Sequence, residues 1–315
     1  MAVSDAWRRR IDWGFQRNLA DWPLVRRELA ALLPVLSAEE ALCLRAVYAG
    51  LGPQDLASIP AGQHLEDVRT ALLARRELDR QVGEELFFLY VLPARVNNEF
   101  PDGARPWLYE QLRSRVKGLG LAETALEVNY WCYAHATYAP ADDRTMGPRG
   151  VCSRARGRCG EESTLLTAAL RAVGVPARQV YAPRWAHCDD NHAWVEFWDG
   201  TGWRYMGACE PEEAPDRGWF TSAASRSMLV RALEPDLENG GCRVVNVTAR
   251  YARTVRLAVR AERGGLPVPG VTVRFQLVND SQLWTIFQGE TDGAGETSME
   301  TGLGCLVVSA WFGGR

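Results

Sequence analysis

The spacing of the apolar residues changes along this chain, and this change constrains the fold more than any other feature. Up to about residue 120, apolar residues recur at steps of three and four, as Leu65, Val68 and Leu72 do, which is typical of amphipathic helices. After about residue 243, apolar and polar residues alternate, as in RVVNVTARY and TVRLAVRAE, which predicts half-buried strands. Between these regions, helical and strand patterns follow one another. The chain is therefore predicted to be an α+β protein.

The same changes predict three domains along the 315 residues. Residues 1–120 form a helical N-terminal region, residues 121–238 a mixed α+β core, and residues 239–315 a small antiparallel β-sandwich. Because the chain ends just after a strand pattern, an incomplete sandwich is part of this expectation. Within the core, the pattern HAWVEFW, then DGTG, then WRYMGAC predicts two strands joined in a hairpin.

Composition excludes several classes of function. The net charge of −3 gives no case for binding nucleic acid, and no run of apolar residues is long enough to span a membrane. Eight cysteines are present without a C-x-x-C pair, which argues against a zinc site and favours reduced thiols. We expect no metal and no organic cofactor. The basic N-terminus is not followed by an apolar segment, so a cytoplasmic location is the default expectation.

The stretch RGRCGEES places Cys159 just before a predicted helix. A cysteine is most often a small buried hydrophobe, but at a helix N-terminus its thiolate is stabilised and it becomes a candidate nucleophile. The spacing predicts Cys159 as the N-cap residue, with the helix starting near Gly160 or Glu161. Gly160 then lets a substrate backbone approach closely. Glu161 and Glu162 suit the helix start, and either is also a candidate for substrate binding, Glu161 first.

His192 is the histidine best placed to pair with such a nucleophile. The chain has four histidines: His64, His135, His187 and His192. His192 opens the strand pattern HAWVEFW, and strand alternation puts Trp194 on the same face, as cleft wall or core. The return strand brings residues 207–210 opposite His192, and Glu210 is the acidic residue in that window. Glu210 is therefore the candidate that orients the imidazole, while a purely structural His192 is the alternative.

Taken in order, GRCGEES, LRAVGVPARQVY, NHAWVEFW and GWRYMGACE resemble the transglutaminase-like cysteine enzyme superfamily over residues 125–225. This superfamily includes protein-crosslinking transglutaminases, peptide N-glycanases, and bacterial proteases and amidases. The resemblance implies a papain- or transglutaminase-like core with Cys159 as nucleophile and His192 as its base. Within the superfamily, GWRYMGACE looks most like the peptide N-glycanase pattern W-x-x-x-D-P-C-E.

This pattern also exposes a departure from the family. The family's triad aspartate falls on Gly207, which has no side chain, so the resemblance supports Cys159 and His192 but not a third member. Either Glu210 takes that part, or the site is a dyad, or the chain is a non-catalytic relative. In transglutaminases a tryptophan upstream of the cysteine helps to stabilise the oxyanion. Trp131 lies in a broadly similar place and is the candidate, with a core position as the alternative.

The resemblance implies a hydrolase that cleaves an amide bond in a peptide, protein or glycopeptide through a thioester. Two alternatives stay open: an acyl transferase that crosslinks proteins or exchanges amides, and a non-catalytic relative that binds peptide or glycan. The C-terminal strands, with PVPGVTVRFQL and ETDGAGE, resemble carboxypeptidase-regulatory-like or Ig-like modules. Such modules are common on surface proteins, so an extracellular or cell-surface location is the alternative to the cytoplasm.

Overall fold

The computed structural model describes residues 3–140 and 145–313, and these divide into two compact units. The first unit comprises Met1–Gln179, Trp194–Arg217 and Leu233–Val244. The second comprises Val180–Ala193, Gly218–Ala232 and Val245–Arg315. These bounds differ from the predicted domains 1–120, 121–238 and 239–315, and the three-domain division stays a prediction.

The N-terminal part of the chain is helical, as its apolar spacing predicts. Ser37 starts one helix with a capping box, because its N–H donates to the Glu40 carboxylate (3.0 Å) and its hydroxyl accepts from the Glu40 N–H (3.3 Å). The helices are α1 (Asp5–Asn18), α2 (Pro23–Leu32), α3 (Ala38–Ala49), α4 (Pro53–Ser58), α5 (Ala61–Glu77), α6 (Glu84–Tyr90) and α7 (Ala104–Val116), with a 3₁₀ turn over Leu33–Val35.

The elements that carry the candidate nucleophile continue this helical packing. They are α8 (Leu121–His135), β1 (Thr137–Tyr138), α9 (Pro148–Arg154), β2 (Arg156–Gly157) and α10 (Cys159–Ala172). Helices α5, α7 and α8 all pack against α10, and Leu108, Leu112, Leu165 and Leu170 belong to one buried cluster. The predicted boundary at residue 120 therefore falls inside a hydrophobic cluster that both sides of it share.

A five-stranded sheet follows, with the order β5-β4-β3-β6-β7. Its strands, with one short helix between them, are β3 (Ala177–Ala182), β4 (His192–Trp198), β5 (Trp203–Met206), α11 (Thr221–Ala224), β6 (Arg231–Pro235) and β7 (Cys242–Asn246). The predicted hairpin is confirmed: β4 and β5 are antiparallel, with Trp198 opposite Trp203. The Asp199 carboxylate closes the turn by accepting the N–H groups of Thr201 (2.7 Å) and Gly202 (2.8 Å).

One strand belongs to a different sheet from the one predicted. The pattern RVVN was expected to open the C-terminal sandwich, but β7 is the edge strand of the five-stranded sheet, next to β6. Alternation along a strand shows that it is half-buried but not which strand it pairs with, and this explains the difference.

The remaining strands form antiparallel sheets, as predicted. They are β8 (Thr254–Arg260), β9 (Glu262–Arg263), β10 (Leu266–Pro267), β11 (Thr272–Asn279), β12 (Gln282–Glu290), β13 (Glu296–Gly302) and β14 (Val307–Trp311), after a 3₁₀ turn over Thr248–Arg250. One sheet has the order β12-β11-β14, and β13 pairs with β8. Their core holds Val273, Phe275, Leu277, Ile286 and Met299. Within the described residues, no helix combines the length and the apolar character that crossing a membrane requires.

Candidate active site

Cys159 is the first residue of α10. Arg158, before it, keeps an extended backbone (φ −75°, ψ 170°) and is the N-cap, so the prediction of Cys159 as N-cap is wrong by one position. A cysteine in the first turn lies beside backbone N–H groups that point out of the helix. The positive end of the helix dipole there favours a thiolate. The Cys159 side chain is half-buried, which keeps it within reach of a ligand.

Glu161 holds the start of this helix in place. Its Oε2 accepts the backbone N–H of Arg158 (2.9 Å) and its Oε1 accepts that of Met146 (3.1 Å), while the residue is fully buried. Both carboxylate oxygens therefore bind backbone groups, as an N3 glutamate does in a capping box. The structure gives Glu161 a structural task, and its part in substrate binding stays a prediction.

Gly160 has a fixed carbonyl and an open outer face. Its carbonyl oxygen accepts the Thr164 hydroxyl (2.8 Å) and the Gln179 side-chain amide (2.9 Å). Gln179 also donates to the Ser163 hydroxyl (2.7 Å), so this buried amide ties β3 to the first turn of α10. A methyl group on the Gly160 Cα would have no described atom within 4 Å apart from those of Cys159, Glu161 and the backbone of its own helix. The space that the sequence analysis assigned to an approaching substrate is thus open.

The Glu210 carboxylate lies where a side chain at position 207 would begin. A Cβ atom built on Gly207 would be 2.5 Å from Glu210 Oε2 and 3.1 Å from Glu210 Cβ. Asn129 fixes this segment, because its side-chain amide donates to the Gly207 carbonyl (2.8 Å) and accepts the Cys209 N–H (2.9 Å). Cys209 itself has a left-handed backbone (φ +57°). A carboxylate from Glu210 therefore occupies space that the side chain of an aspartate at position 207 would take.

Glu162, the second of the two glutamates that suit the helix start, is a buried carboxyl group. Burial raises the pKa of the Glu162 side chain to about 8, and the negative charges of Glu210 and Glu161 contribute to this rise. At neutral pH this carboxyl is therefore mostly protonated, the form that is able to donate a hydrogen bond. Raised carboxyl pKa values concentrate in functional sites, which makes Glu162 a part of the candidate site. The pair of glutamates after C-G was the available sequence signal, but both suited a helix start equally well.

We expect the Glu162→Gln variant to change how stability depends on pH. The pKa of Glu162 is about 8 in the folded chain but about 4.3 in an unfolded one, so the unfolded state loses its proton first as pH rises. The wild-type carboxyl thus disfavours folding increasingly between pH 5 and 8.5, and glutamine does not. The variant should gain at least about 1 kcal/mol in unfolding free energy relative to wild type over this interval.

Urea unfolding at pH 5 and pH 8.5 measures this difference. Glu213→Gln, at an exposed position, is the matched control and should show no pH-dependent gain. If Glu162→Gln changes stability by the same amount at both pH values, Glu162 is ionised at neutral pH and the assignment is wrong.

His192 begins β4 and its side chain is buried between aromatic rings. Its ring centroid lies 4.7 Å from that of Trp219 and 4.9 Å from that of Phe220. Burial lowers the pKa of His192 to about 4, against the opposing charge of Asp190. The imidazole is therefore neutral at pH 7, which is the form that accepts a proton from a nucleophile. His192 lies in the second compact unit, and Cys159, Gly160, Glu161 and Glu210 lie in the first.

Comparison with known proteins places this region in a family. Residues 110–208 match the family model of the transglutaminase-like superfamily. This segment is a transglutaminase-like domain. It contains Trp131, Cys159, His192 and Gly207 and ends before Glu210. The superfamily resemblance drawn from the cysteine and histidine motifs is confirmed, and the narrower likeness to peptide N-glycanases stays a prediction.

Solved structures give weaker likenesses. A candidate cysteine protease from Cytophaga hutchinsonii is 16% identical with a TM-score of 0.33, covering 55% of this chain and 61% of that one. Red sea bream transglutaminase is 11% identical with a TM-score of 0.35, covering 65% of this chain and 52% of that one. The chain thus spans about half to three fifths of the length of these proteins. No curated protein matches the chain.

Two tryptophans with predicted roles lie deep in the transglutaminase-like domain. Trp131 is 4% exposed, and its ring stacks on His135 with centroids 4.0 Å apart. Trp194 is fully buried in β4. Both positions favour the core alternative stated from the sequence. The oxyanion role of Trp131 and the substrate role of Trp194 stay predictions.

A buried ion-pair network stiffens the strands of the transglutaminase-like domain. Arg178 on β3 pairs with Glu196 on β4 (2.7 Å) and with Glu234 on β6 (2.7 Å), and Tyr90 donates to Glu234 (2.5 Å). The Arg178 guanidinium also stacks over the Trp203 ring at 4.5 Å. Glu196 shares the strand face predicted for His192, and in the structure it is a structural carboxylate. Such a network holds β4, which begins at His192, in a fixed position relative to β3 and β6.

Proposed function

We propose that this protein is a cysteine hydrolase that cleaves an amide bond in a peptide, protein or glycopeptide through a thioester. The observation that carries the proposal is the position of Cys159 as first residue of α10, inside the segment that matches the transglutaminase-like superfamily. A thiol at that place has a stabilised anionic form, and the superfamily uses its cysteine as a nucleophile.

The reaction follows from the two principal side chains. The neutral His192 imidazole takes the proton of the Cys159 thiol while the sulfur attacks the substrate carbonyl carbon and the carbonyl oxygen becomes negative. The tetrahedral intermediate collapses, the C–N bond breaks, and the imidazolium gives its proton to the leaving amine. Water, deprotonated by His192, then attacks the thioester, and the carboxylic acid leaves as the Cys159 thiol is restored.

Three further groups support this chemistry in the proposal. The Cys159 backbone N–H, in the first turn of α10, donates to the oxyanion, with the Trp131 indole as second donor. Glu210 orients the His192 imidazole and stabilises its charged form; its carboxylate fills the space beside Gly207, which supports this assignment. Gly160 lines the approach of the substrate, and the buried Glu161 and Trp194 support substrate binding from behind. The open outer face of Gly160 supports its part.

Acyl transfer to an amine begins with the same thioester, so the two reactions differ in the second step. Hydrolysis releases a carboxylic acid, whereas transfer joins the acyl group to an added amine. Mass spectrometry of the product in the presence of a primary amine separates them: we expect the acid. A relative that has lost catalysis forms neither product and carries no reactive thiol.

The reactivity of Cys159 toward iodoacetamide tests the proposal. Alkylation rates from pH 5 to 9, assigned by peptide mapping, should show Cys159 reacting at least about tenfold faster at pH 6 than an ordinary thiol of pKa near 8.5. In His192→Ala this advantage should fall by a similar factor. The exposed Cys188 and Cys305 in the same sample are internal references whose rates should not change. If Cys159 titrates like these references in both proteins, the hydrolase assignment is wrong.

A further inference from the structure

A partly enclosed cavity of about 290 Å³ lies among the helices of the first unit, in a region to which the proposed hydrolysis assigns no task. Its wall is mostly apolar and includes Val47, Ile59, Phe88, Leu92 and Leu237. A cavity of about 150 Å³ lined by apolar side chains holds a benzene molecule, so this one has room for a ligand about twice as large. Its size is close to the lower end of the range for small-molecule sites.

Most of the charged groups at this cavity are already satisfied by the protein. The Asp55 carboxylate forms a two-point ion pair with the Arg95 guanidinium. Arg171 donates to the backbone carbonyls of Ala177 (2.9 Å) and Arg95 (2.9 Å). The Glu234 carboxylate belongs to the network with Arg178 and Tyr90. Each of these groups has hydrogen-bond partners within the protein.

Two polar residues of α5 at this cavity belong to none of these ion pairs. His64 and Asp67 line the cavity and lie three residues apart on the helix, which puts them on one face. Both are buried, at 4% and 5% exposure, and no described residue hydrogen-bonds to His64 Nε2. The charge of Arg105 acts on the Asp67 carboxyl, but the Arg105 guanidinium donates to the carbonyls of Leu92 (2.9 Å) and Val91 (2.9 Å).

Buried acceptors without donors are costly, and native proteins rarely keep them without a reason. Burial raises the pKa of Asp67 to about 6, so the carboxylate is mostly ionised at pH 7.5. Burial also lowers the pKa of His64 to about 4, so its ring is neutral and Nε2 can accept a hydrogen bond. The same end of the cavity thus presents one negative charge and one neutral acceptor. A cationic donor group complements both.

We propose that this cavity is a binding site for a small primary amine with an apolar body, whose ammonium group donates to Asp67 and His64. The apolar body lies against the wall formed by Phe88, Ile59 and Leu92. A molecule of about ten non-hydrogen atoms, such as 2-phenylethylamine, fits the volume. Asp67 supplies the charge that selects an amine, and His64 the second acceptor that orients it.

Isothermal titration calorimetry with 2-phenylethylamine tests the site in the full chain. The Cys159→Ser background prevents the amine from being consumed as an acyl acceptor, so the result does not depend on the proposed activity. We expect one saturable site, at least about tenfold weaker binding of the uncharged 2-phenylethanol, and no binding of phenylacetate. Absence of saturable amine binding, or equal binding of all three probes, overturns the proposal.

Variants locate the site. Asp67→Asn keeps the size of the side chain and should weaken amine binding at least about tenfold, while Asp21→Asn, an exposed position, removes the same charge and should leave binding unchanged. If Asp67→Asn does not fold, the ring resonances of His64 in the Cys159→Ser chain provide the second measurement. They should shift on titration with the amine, and resonances that stay unchanged at saturation overturn the assignment of this cavity.

Discussion

Replacement of Cys159 by alanine is expected to abolish amide hydrolysis, with a loss in kcat of at least about 10³-fold. No other group at this position can form the thioester, and binding with oxyanion stabilisation alone leaves only a small fraction of the rate. Folding should be retained, because Cys159 is half-buried and alanine is a strong helix former. Turnover of a peptide amide measured together with thermal unfolding separates loss of chemistry from loss of fold.

The matched control for this variant is Cys188→Ala, which removes an exposed thiol elsewhere in the chain. It should keep wild-type kcat and wild-type stability. A Cys159→Ala protein that is folded and still hydrolyses the substrate would show that another group is the nucleophile. If neither wild type nor variant shows turnover but both bind the same peptide, the non-catalytic alternative gains support instead.

Exchange of the carboxylate between positions 210 and 207 is expected to give the second largest effect. Removing the carboxylate by Glu210→Ala should lower kcat by about 10²-fold, because the imidazole loses the group that orients it and stabilises its charge. Gly207→Asp by itself places a Cβ 2.5 Å from Glu210 Oε2, so the flexible Glu210 side chain must move aside and leave the position from which it is proposed to orient the imidazole. The double variant Gly207→Asp/Glu210→Ala removes the contact with Oε2, keeps the 3.1 Å contact with the Cβ of residue 210, and restores a carboxylate.

We expect the kcat of the double variant to be at least about tenfold higher than that of Glu210→Ala. The control Gly207→Asn/Glu210→Ala has a side chain of the same size without the charge, and should fold equally well without recovering activity. Wild-type turnover in Glu210→Ala would establish a Cys159–His192 dyad. Equal activity of the Asp and Asn double variants would mean that position 207 contributes shape and no charge.

Much of the fold was predictable from local patterns. The capping box at Ser37 and Glu40 and the β4–β5 hairpin depend on residues close together in the chain, and both are confirmed. The order of the cysteine and histidine motifs predicted the transglutaminase-like domain for the same reason. The strand over Cys242–Asn246 was assigned to the wrong sheet, because strand pairing depends on distant segments.

The candidate site was only partly predictable. Cys159 and His192 have a type and a position that point to chemistry, but Asn129, Glu162 and Gln179 resemble ordinary helix and strand residues in the sequence. Their part depends on what surrounds them: Asn129 bonds to Gly207 and Cys209, and Glu162 lies beside Glu210. Burial and neighbouring charge set a pKa, and both are properties of the packed chain.

The sequence by itself determined the α+β class, the transglutaminase-like motif order and the two residues proposed as nucleophile and base. The class follows from periodicity, the motif order from the resemblance to the superfamily, and the two residues from that resemblance together with their side-chain chemistry. Only the tertiary structure decided that the Glu210 carboxylate fills the space beside Gly207, and that His64 and Asp67 line one cavity in which no described residue hydrogen-bonds to His64 Nε2. Contacts between residues far apart in the chain form only when the chain packs, and only then is water excluded from around them.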